Sequence, residues 1–201
     1  QKISSVFHWG NSLIKMLPTR ALLLPQTNEL LICDIHLGKG EYFQQNGIPL
    51  TNNSDEQNLL RIKNIVKEHS PNKLIILGDL FHSRYSISAS LKSKVELLAE
   101  TLNIKIELIV GNHDIGCNVK NIRFLDFKRS NNFIFSHEPL GKFDENILNI
   151  CGHYHPKIYL KNQKDKLSFR CFALDEKENI FYLPAFGDLT GGYPCKKTFK
   201  K

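Results

Sequence analysis

The stretch Ile106-Glu107-Leu108-Ile109-Val110-Gly111-Asn112-His113-Asp114 joins an apolar run to a polar cluster, and this join indicates the fold. A short, β-prone apolar run that ends at a glycine or turn residue is typical of a buried strand. Four similar joins occur along the chain: Leu30-Leu31-Ile32-Cys33 before Asp34-Ile35-His36, Leu74-Ile75-Ile76-Leu77 before Gly78-Asp79, Phe133-Ile134-Phe135 before Ser136-His137, and Ile147-Leu148-Asn149-Ile150 before Gly152-His153-Tyr154-His155. Because the carboxyl ends of strands meet at one edge of an open α/β sheet, we expect the five clusters to form one pocket.

Composition indicates an ordinary globular domain. The chain has 201 residues, with 41% hydrophobic and 23% charged residues, which fits a single domain over residues 1–201 with its own core. The sequence has neither a signal-peptide pattern nor an apolar run long enough to span a membrane. We therefore expect a cytoplasmic protein without a membrane segment.

The net charge of +7 and the five cysteines bear on partners and metals. Basic residues concentrate in residues 120–129, 157–170 and 196–201, which fits either a polyanionic partner or a solvated basic surface. The cysteines lack CxxC spacing and are predicted to be reduced structural thiols. Cys33 and Cys151 flank proposed ligands, but the alternation of side chains along a strand points them away from those neighbours.

Periodicity predicts the remaining elements. Residues 6–25 alternate apolar and polar positions, which indicates short antiparallel strands. Apolar residues at helical spacing predict a helix over residues 55–69, with Ser54 as its N-cap, and a second helix over residues 88–102. Strands are predicted at residues 168–174 and 180–183, around a turn. Helices early and strands late suggest a sandwich of sheets with helices outside.

The clusters carry ligands for divalent metals. Carboxylate, imidazole and amide oxygen suit Mn²⁺, Fe²⁺ and Zn²⁺. Alternate residues of an extended segment point the same way, so Asp34 and His36 are predicted to bind one ion, and His153 and His155 to serve neighbouring ions. Asp79 is then placed to bridge the ions. Two ions about 3.5–4 Å apart hold a bridging hydroxide that attacks phosphorus in line.

In their order along the chain and in their residues, the clusters resemble the motifs of the calcineurin-like metallophosphoesterase superfamily. The motifs of that superfamily are DxH, GD, GNH(D/E), a single His and GHxH. The resemblance spans residues 34–155 and implies an α/β fold, the four-layer αββα sandwich of mixed sheets with flanking helices. It implies two divalent ions, with Mn²⁺ foremost and Fe²⁺ or Zn²⁺ as alternatives. It also implies that His113 stands beside the bound phosphate, as general acid or transition-state stabiliser, with Asp114 completing the catalytic motif. The metal ligands it implies are Asp34, His36, Asp79 and His155 for one ion, and Asp79, Asn112, His137 and His153 for the other.

One segment departs from the phosphatase pattern. Phosphatases of the superfamily commonly carry GDxxDRG, whereas this chain has Gly78-Asp79-Leu80-Phe81-His82-Ser83-Arg84. This segment resembles the corresponding segment of repair nucleases of the SbcD type. The resemblance implies phosphodiester chemistry with His82 in the catalytic site. The alternative is that His82 faces solvent in a loop.

A larger set of residues is similar to small bacterial phosphoesterases that are associated with a DNA ligase and proposed as DNA-damage-response endonucleases. This narrower resemblance implies cleavage of DNA or RNA in DNA repair, with ligase, helicase and exonuclease partners. The matching segments are residues 34–40, 47–49, 78–84, 183–187 and 190–192.

Residues beside the ligands admit two interpretations each. Lys39 and Arg84 are candidates for binding substrate phosphate, or they are ordinary loop cations. Gly187 and the pair Gly191-Gly192 either let backbone approach the pocket or form a plain turn.

The leading hypothesis is a binuclear metal-dependent phosphodiesterase, a nuclease acting on DNA or RNA. The alternative is a small-molecule phosphohydrolase acting on nucleotides, nucleotide-sugar pyrophosphates or phosphomonoesters. A non-catalytic scaffold ranks last, because scaffold proteins are expected to lose ligands and here the whole set is present.

Overall fold

The computed structural model describes residues 4–48, 53–141, 143–161 and 166–195. Its helices are α1 (Lys39–Gln45), α2 (Ser54–His69) and α3 (Ala89–Leu102), with a short 3₁₀ helix at Arg84–Ser86. Its strands are β1 (Ser5–Trp9), β2 (Ser12–Met16), β3 (Leu22–Leu24), β4 (Glu29–Ile32), β5 (Lys73–Leu77), β6 (Lys105–Ile109), β7 (Ile122–Leu125), β8 (Lys128–Ser130), β9 (Phe133–Ser136), β10 (Leu148–Cys151), β11 (Pro156–Lys161), β12 (Lys166–Arg170), β13 (Ala173–Asp175), β14 (Ile180–Tyr182) and β15 (Tyr193–Pro194).

The first sheet has the order β1-β2-β3-β4-β5-β6-β7. Strands β1 to β4 pair antiparallel, as the alternation in residues 6–25 predicts, and β4 to β7 pair parallel. Helix α2 crosses over from β4 to β5, and α3 crosses over from β5 to β6. Both predicted helices are therefore confirmed as crossover connections, which parallel neighbours require.

Helix α2 begins with Asn53 as its N-cap, so the prediction of Ser54 as the cap is wrong by one residue. The Asn53 side chain makes no capping hydrogen bond, while its carbonyl accepts the Gln57 amide. The helix ends where Ser70 adopts a left-handed backbone, just before Pro71. Proline disfavours a helical conformation in the residue before it. Pro71 therefore explains why α2 ends at this point.

Alternating side chains of the parallel strands enter two different cores. On β5, Leu74 and Ile76 pack with the apolar face of α2 and α3, whereas Ile75 and Leu77 face the second sheet. The second sheet meets them with fully buried residues such as Phe135. The first sheet is thus covered on both faces, which explains why its strands read as continuous apolar runs.

The second sheet has the order β13-β14-β10-β9-β8, and a third has the order β12-β11-β15. The prediction of one strand over residues 168–174 is wrong, because the chain leaves the third sheet after Arg170 and joins the second at Ala173. Cys171 still donates its amide to Pro156, but Phe172 turns toward the core between the large sheets. Burial of that ring explains the change of sheet.

The α/β class and the sandwich of mixed sheets are confirmed. Helices α2 and α3 form the layer outside the first sheet. Among the described residues the chain forms no further helix after Leu102, so that stretch supplies no helical layer for the second sheet. None of the described helices is long and apolar enough to cross a membrane.

Four charged residues join the sheets at the edge opposite the polar clusters. Glu29 and Glu107 are buried on β4 and β6, and Lys128 on β8 lies 2.9 and 2.8 Å from their carboxylates. Lys73 on β5 lies 3.5 and 3.3 Å from the same two carboxylates. Lys128, one of the basic residues of the 120–129 stretch, is therefore engaged inside the fold.

Candidate metal centre

The polar clusters meet where the parallel strands end. The amide of Asp34 donates to the Gly78 carbonyl at 3.0 Å, and the amide of His36 donates to the Asp79 carbonyl at 2.9 Å. Asp34, His36, Asp79, His153 and His155 all have positive φ, between 47° and 63°. The premise that Asp34 and His36 lie on an extended segment is therefore wrong. The chain turns sharply at each of these residues, a conformation that non-glycine residues adopt at a cost.

Asp34, His36 and His155 form the first group of side chains suited to a cation. His155 Nε2 lies 3.0 Å from Asp34 Oδ1, outside hydrogen-bonding alignment. Both ring nitrogens of His36 are buried without a hydrogen-bond partner. Buried polar atoms normally have partners, so these orphaned nitrogens point to a missing ligand.

Asp79, His137 and His153 form the second group. His137 Nδ1 bonds to the Leu77 carbonyl at 3.0 Å, which leaves its Nε2 directed at the other members of the group. That Nε2 lies 3.1 Å from Asn112 Oδ1 and 3.1 Å from His153 Nδ1. In a metal-binding histidine, one ring nitrogen usually bonds to a backbone carbonyl or carboxylate, and this bond directs the other nitrogen at the metal.

The Asp79 carboxylate lies between the two groups. Its Oδ1 accepts the His113 amide at 3.1 Å. Its Oδ2 lies 3.6 Å from His36 Nε2 and 3.4 Å from His137 Nε2. One carboxylate oxygen therefore faces a histidine of each group.

The carboxylates and burial set the charge of the histidines. Burial lowers the pKa of His36 to about 4, so this ring stays neutral and keeps a lone pair for a cation. Burial also opposes protonation of His137, but the hydrogen bond to Asp79 and the charges of Asp79 and Asp34 outweigh it and raise the pKa to about 9. The negative field that attracts a proton to His137 attracts a metal cation equally.

The donor set fits divalent metals. Two buried carboxylates, four imidazoles and an amide oxygen converge, and this is the mixture that Mn²⁺, Fe²⁺ and Zn²⁺ accept. The structure brings the predicted ligands together, with His153 and His155 in adjacent groups. A third group of His36, Asp79 and His113 also places the predicted proton donor within ligand distance of two of them. The groups of described residues contain no cysteine, and Cys33 instead faces the core between the sheets.

His113 and His82 stand together beside the first group. The His113 ring lies 5.3 Å from the His36 ring and stacks on His82 at 5.6 Å, with 19° between the planes. His82 is half-buried, and its Nδ1 is buried without a hydrogen-bond partner. His82 therefore belongs to the cluster, and the alternative of a solvent-facing loop histidine does not fit. Tyr42 on α1 packs edge-on against it at 5.0 Å, a contact that no sequence pattern indicated.

Asp114 has a different role from the predicted catalytic one. It is 1% exposed, its Oδ1 accepts the Phe81 amide, and its Oδ2 accepts the Gly111 amide, both at 3.1 Å. Burial is the main cause that raises the pKa of its carboxyl to about 6. Its side chain is thus occupied by the two loops that carry Asp79 and Asn112, so the structure corrects Asp114 to a positioning residue.

The two candidate phosphate-binding cations differ in position. Lys39 is half-buried at the start of α1. Burial lowers the pKa of His82, and the charge of Lys39 adds to that decrease. Arg84 is exposed, and its guanidinium contacts the Tyr85 hydroxyl and ring rather than the cluster. The structure therefore brings Lys39 toward the site and leaves Arg84 outside it.

The glycines of the 183–192 segment differ in how closely their backbone approaches the site. A Cβ on Gly187 would lie 2.0 Å from the Ile35 carbonyl oxygen, and one on Gly192 would lie 2.4 Å from the His155 carbonyl oxygen. A Cβ on Gly191 would meet nothing within 4 Å. Close approach of backbone to the site is therefore confirmed at Gly187 and Gly192, whereas Gly191 lies in open space. Pro49 and residues 196–201 lie outside the described residues.

Two supporting residues escaped sequence reasoning. Asp55 is buried in the first turn of α2, and its Oδ2 accepts the Gly38 amide at 2.9 Å, which ties the loop after His36 to that helix. Thr190 donates its hydroxyl to the Asp34 carbonyl at 3.4 Å. An acidic residue in a first helical turn reads as a helix-start signal, so sequence alone gave no reason to look for its second partner.

The fold and the site define a metal-binding hydrolase of the α/β sandwich class. The chain belongs to the calcineurin-like phosphoesterase family, whose model matches residues 30–191. The chain is similar to the crystal structure of Pseudomonas putida nuclease MPE, with 28% identity, a TM-score of 0.82, and coverage of 98% of this chain and 94% of that chain. It is also similar to Yfce, a phosphoesterase from E. coli, with 16% identity, a TM-score of 0.48, and coverage of 83% and 84%, a likeness too low to carry an argument. No curated relative matches the chain.

Proposed function

We propose that this phosphoesterase is a binuclear metal-dependent phosphodiesterase that cleaves nucleic acid. The observation that carries the proposal is the position of Asp79, whose Oδ2 faces His36 of one group and His137 of the other. A carboxylate in this position can serve two adjacent ions, as a two-metal site uses. Two bound divalent ions supply an activated water and offset the charge that develops on the phosphoryl oxygens.

The side chains of the chain then have distinct tasks. Asp34, His36 and His155 would hold one ion, and Asn112, His137 and His153 would hold the other, with Asp79 available to both. The His137 ring is oriented by the Leu77 carbonyl before any ion arrives. His113 is the group that delivers a proton to the leaving oxygen or stabilises the transition state, and it reaches the cluster beside His36.

Two observations support a diester as the substrate. His82 stands against His113 in place of the acidic residue of the GDxxDRG pattern, so a second imidazole rather than a carboxylate flanks the phosphate position. In the repair nucleases of the SbcD type, which this segment resembles, a histidine at that position belongs to the phosphodiesterase site. The structure similar to this chain over 98% of its length is described as a nuclease.

The test compares bis-(p-nitrophenyl) phosphate with p-nitrophenyl phosphate in the presence of Mn²⁺. We expect the diester to be preferred, and His113→Ala to lower kcat by about 10²–10⁴, the usual contribution of general acid–base catalysis, while metal content is retained. His8→Ala, which changes an exposed histidine on β1, is the matched control and should keep full activity. Full activity of His113→Ala would refute the mechanism, and preference for the monoester would favour the small-molecule phosphohydrolase instead.

The resemblance to small bacterial phosphoesterases associated with a DNA ligase leads us to propose a role in DNA repair, with a DNA ligase, a helicase and an exonuclease as partners. We also propose that this role is cytoplasmic. Cross-linking in the native cell followed by identification of the captured proteins tests this role. Capture of none of those three enzymes would count against it.

A further inference from the structure

A cavity of about 460 Å³ adjoins the second group of metal-suited side chains. Its lining includes residues that follow β6 and β9, among them Asn112 and His137. Pockets of about 300–1,000 Å³ bind small molecules or single building blocks of larger ones. The cavity therefore has room for one substituent of a phosphate held at the metal centre.

Two apolar residues that line the cavity are exposed to solvent. They are Phe127 and Ile115, whose side chains are 60% and 63% exposed. Large apolar side chains open to solvent beside a catalytic cluster are typical of a binding surface. A flat aromatic ligand is the occupant that an exposed phenylalanine ring suits best, because stacking needs only a π-face.

The polar groups of the cavity exclude a phosphate as its occupant. Asp126 and Glu138 line it, and no lysine or arginine among the described residues does. Neither carboxylate has a hydrogen-bond or ion-pair partner in the described part of the chain. Carboxylates repel phosphate but accept hydrogen bonds from the amino group of a base such as cytosine.

From this juxtaposition we propose that the cavity binds one unpaired nucleobase of the substrate, adjacent to the phosphodiester that is cleaved. Phe127 stacks on the base, and Asp126 or Glu138 accepts a hydrogen bond from its exocyclic amino group. This inference rests on the proposed phosphodiesterase function and adds a base-binding subsite to it. It also predicts a preference for bases that carry an amino group.

Two p-nitrophenyl diesters with the same leaving group separate the base from the phosphate. One is methyl p-nitrophenyl phosphate, and the other is the p-nitrophenyl ester of cytidine 5′-phosphate. We expect the cytidine ester to have the higher kcat/KM, and Phe127→Ala to lower the ratio of the two kcat/KM values about tenfold, within the range of base–aromatic stacking. Phe169→Ala removes an exposed ring on β12 that does not line the cavity, and should leave that ratio unchanged.

The carboxylates are tested with the corresponding uridine ester. Uracil lacks the exocyclic amino group, so wild type should prefer cytidine over uridine. The double variant Asp126→Ala, Glu138→Ala, which lacks both acceptors, should lose that preference. A preference that survives the double substitution would overturn the hydrogen-bonding part of the proposal.

The outcomes distinguish the cavity from the proposed function. Turnover of both diesters without a cytidine advantage, or with an advantage that Phe127→Ala retains, overturns the base site and leaves phosphodiesterase activity intact. Turnover of neither diester refutes the proposed function. In that case, calorimetric titration of the Mn²⁺-loaded protein with cytidine monophosphate decides the base site: weaker binding by Phe127→Ala supports it, and equal binding overturns it.

Discussion

Replacement of Gly78 by alanine should displace His137 from the second metal group. Gly78 has φ of +78°, which an alanine adopts only under strain. A Cβ there would lie 2.1 Å from His137 Nδ1, 2.4 Å from its Cγ and 2.7 Å from its Cβ. Because the clash includes the root of the side chain, rotation of the ring cannot relieve it, and the bond from His137 Nδ1 to the Leu77 carbonyl must break.

The cost has two parts. The left-handed conformation costs an alanine about 1–2 kcal/mol. Overpacking in a closed site typically adds about 1–3 kcal/mol. We therefore expect Gly78→Ala to lower the free energy of unfolding by about 2–5 kcal/mol, the sum of these ranges.

Gly47 provides the matched control. Its φ is +77°, and a Cβ there would meet nothing within 4 Å, so Gly47→Ala carries the conformational cost alone. Urea denaturation should show a loss of about 1–2 kcal/mol for Gly47→Ala and a larger loss for Gly78→Ala. Metal analysis of the folded proteins should show weaker Mn²⁺ binding only for Gly78→Ala. Equal destabilisation by the two substitutions, with Mn²⁺ binding unaffected, would refute the reasoning from the His137 contact.

Two further predictions concern pH and metal. Burial raises the pKa of Glu107, but the hydrogen bond and charge of Lys128 and the charge of Lys73 outweigh it, so the pKa lies below its ordinary value of 4.5. A depressed carboxyl pKa stabilises the fold above the unfolded pKa, and that stabilisation is lost as pH falls through the folded pKa. Glu107→Gln should therefore have a free energy of unfolding about 1–2 kcal/mol lower than wild type at neutral pH. The free energies of unfolding of the two proteins should converge below pH 4.5. A constant difference down to pH 2 would contradict this prediction. Addition of Mn²⁺ at 100 times its Kd should stabilise the protein by about 2.7 kcal/mol for each ion bound, and His155→Ala should halve the bound metal. An unchanged thermal midpoint with Mn²⁺ would contradict the metal site.

Much of the fold was predictable because the parallel strands are buried on both faces. A strand that is buried on both faces has an apolar residue at nearly every position, and the polar residue that follows marks its end. This pattern holds for β4, β5, β6, β9 and β10. Strands without such a signal were harder to place. Residues 168–174 read as one β-prone run, although the chain changes sheet at Cys171 and Phe172, because no local pattern records which sheet a strand joins.

The composition of the candidate site was predictable, but its backbone was not. Asp, His and Asn after strands indicate ligands whatever their dihedral angles, so the residue set did not depend on the assumption of an extended chain. The left-handed conformations at Asp34 and His36 depend on hydrogen bonds to the Gly78–Asp79 backbone, which is distant in sequence. Asp114 shows the same limit: its place in the motif suggested catalysis, whereas its partners, Phe81 and Gly111, are known only from the structure.

The left-handed backbone of the ligand residues bears on what a metal contributes to this protein. Each such residue costs about 1–3 kcal/mol and persists only where surrounding contacts fix it. Those contacts come from the chain itself: the Asp34 amide bonds to Gly78, the His36 amide bonds to Asp79, and the His153 amide bonds to the Asp34 carboxylate at 3.0 Å. These hydrogen bonds therefore fix the strained residues from within the chain, in addition to any contribution from bound ions. Because they come from the chain alone, we expect removal of the metal by a chelator to abolish hydrolysis and to leave both sheets folded, in contrast to small domains that fold only around their metal.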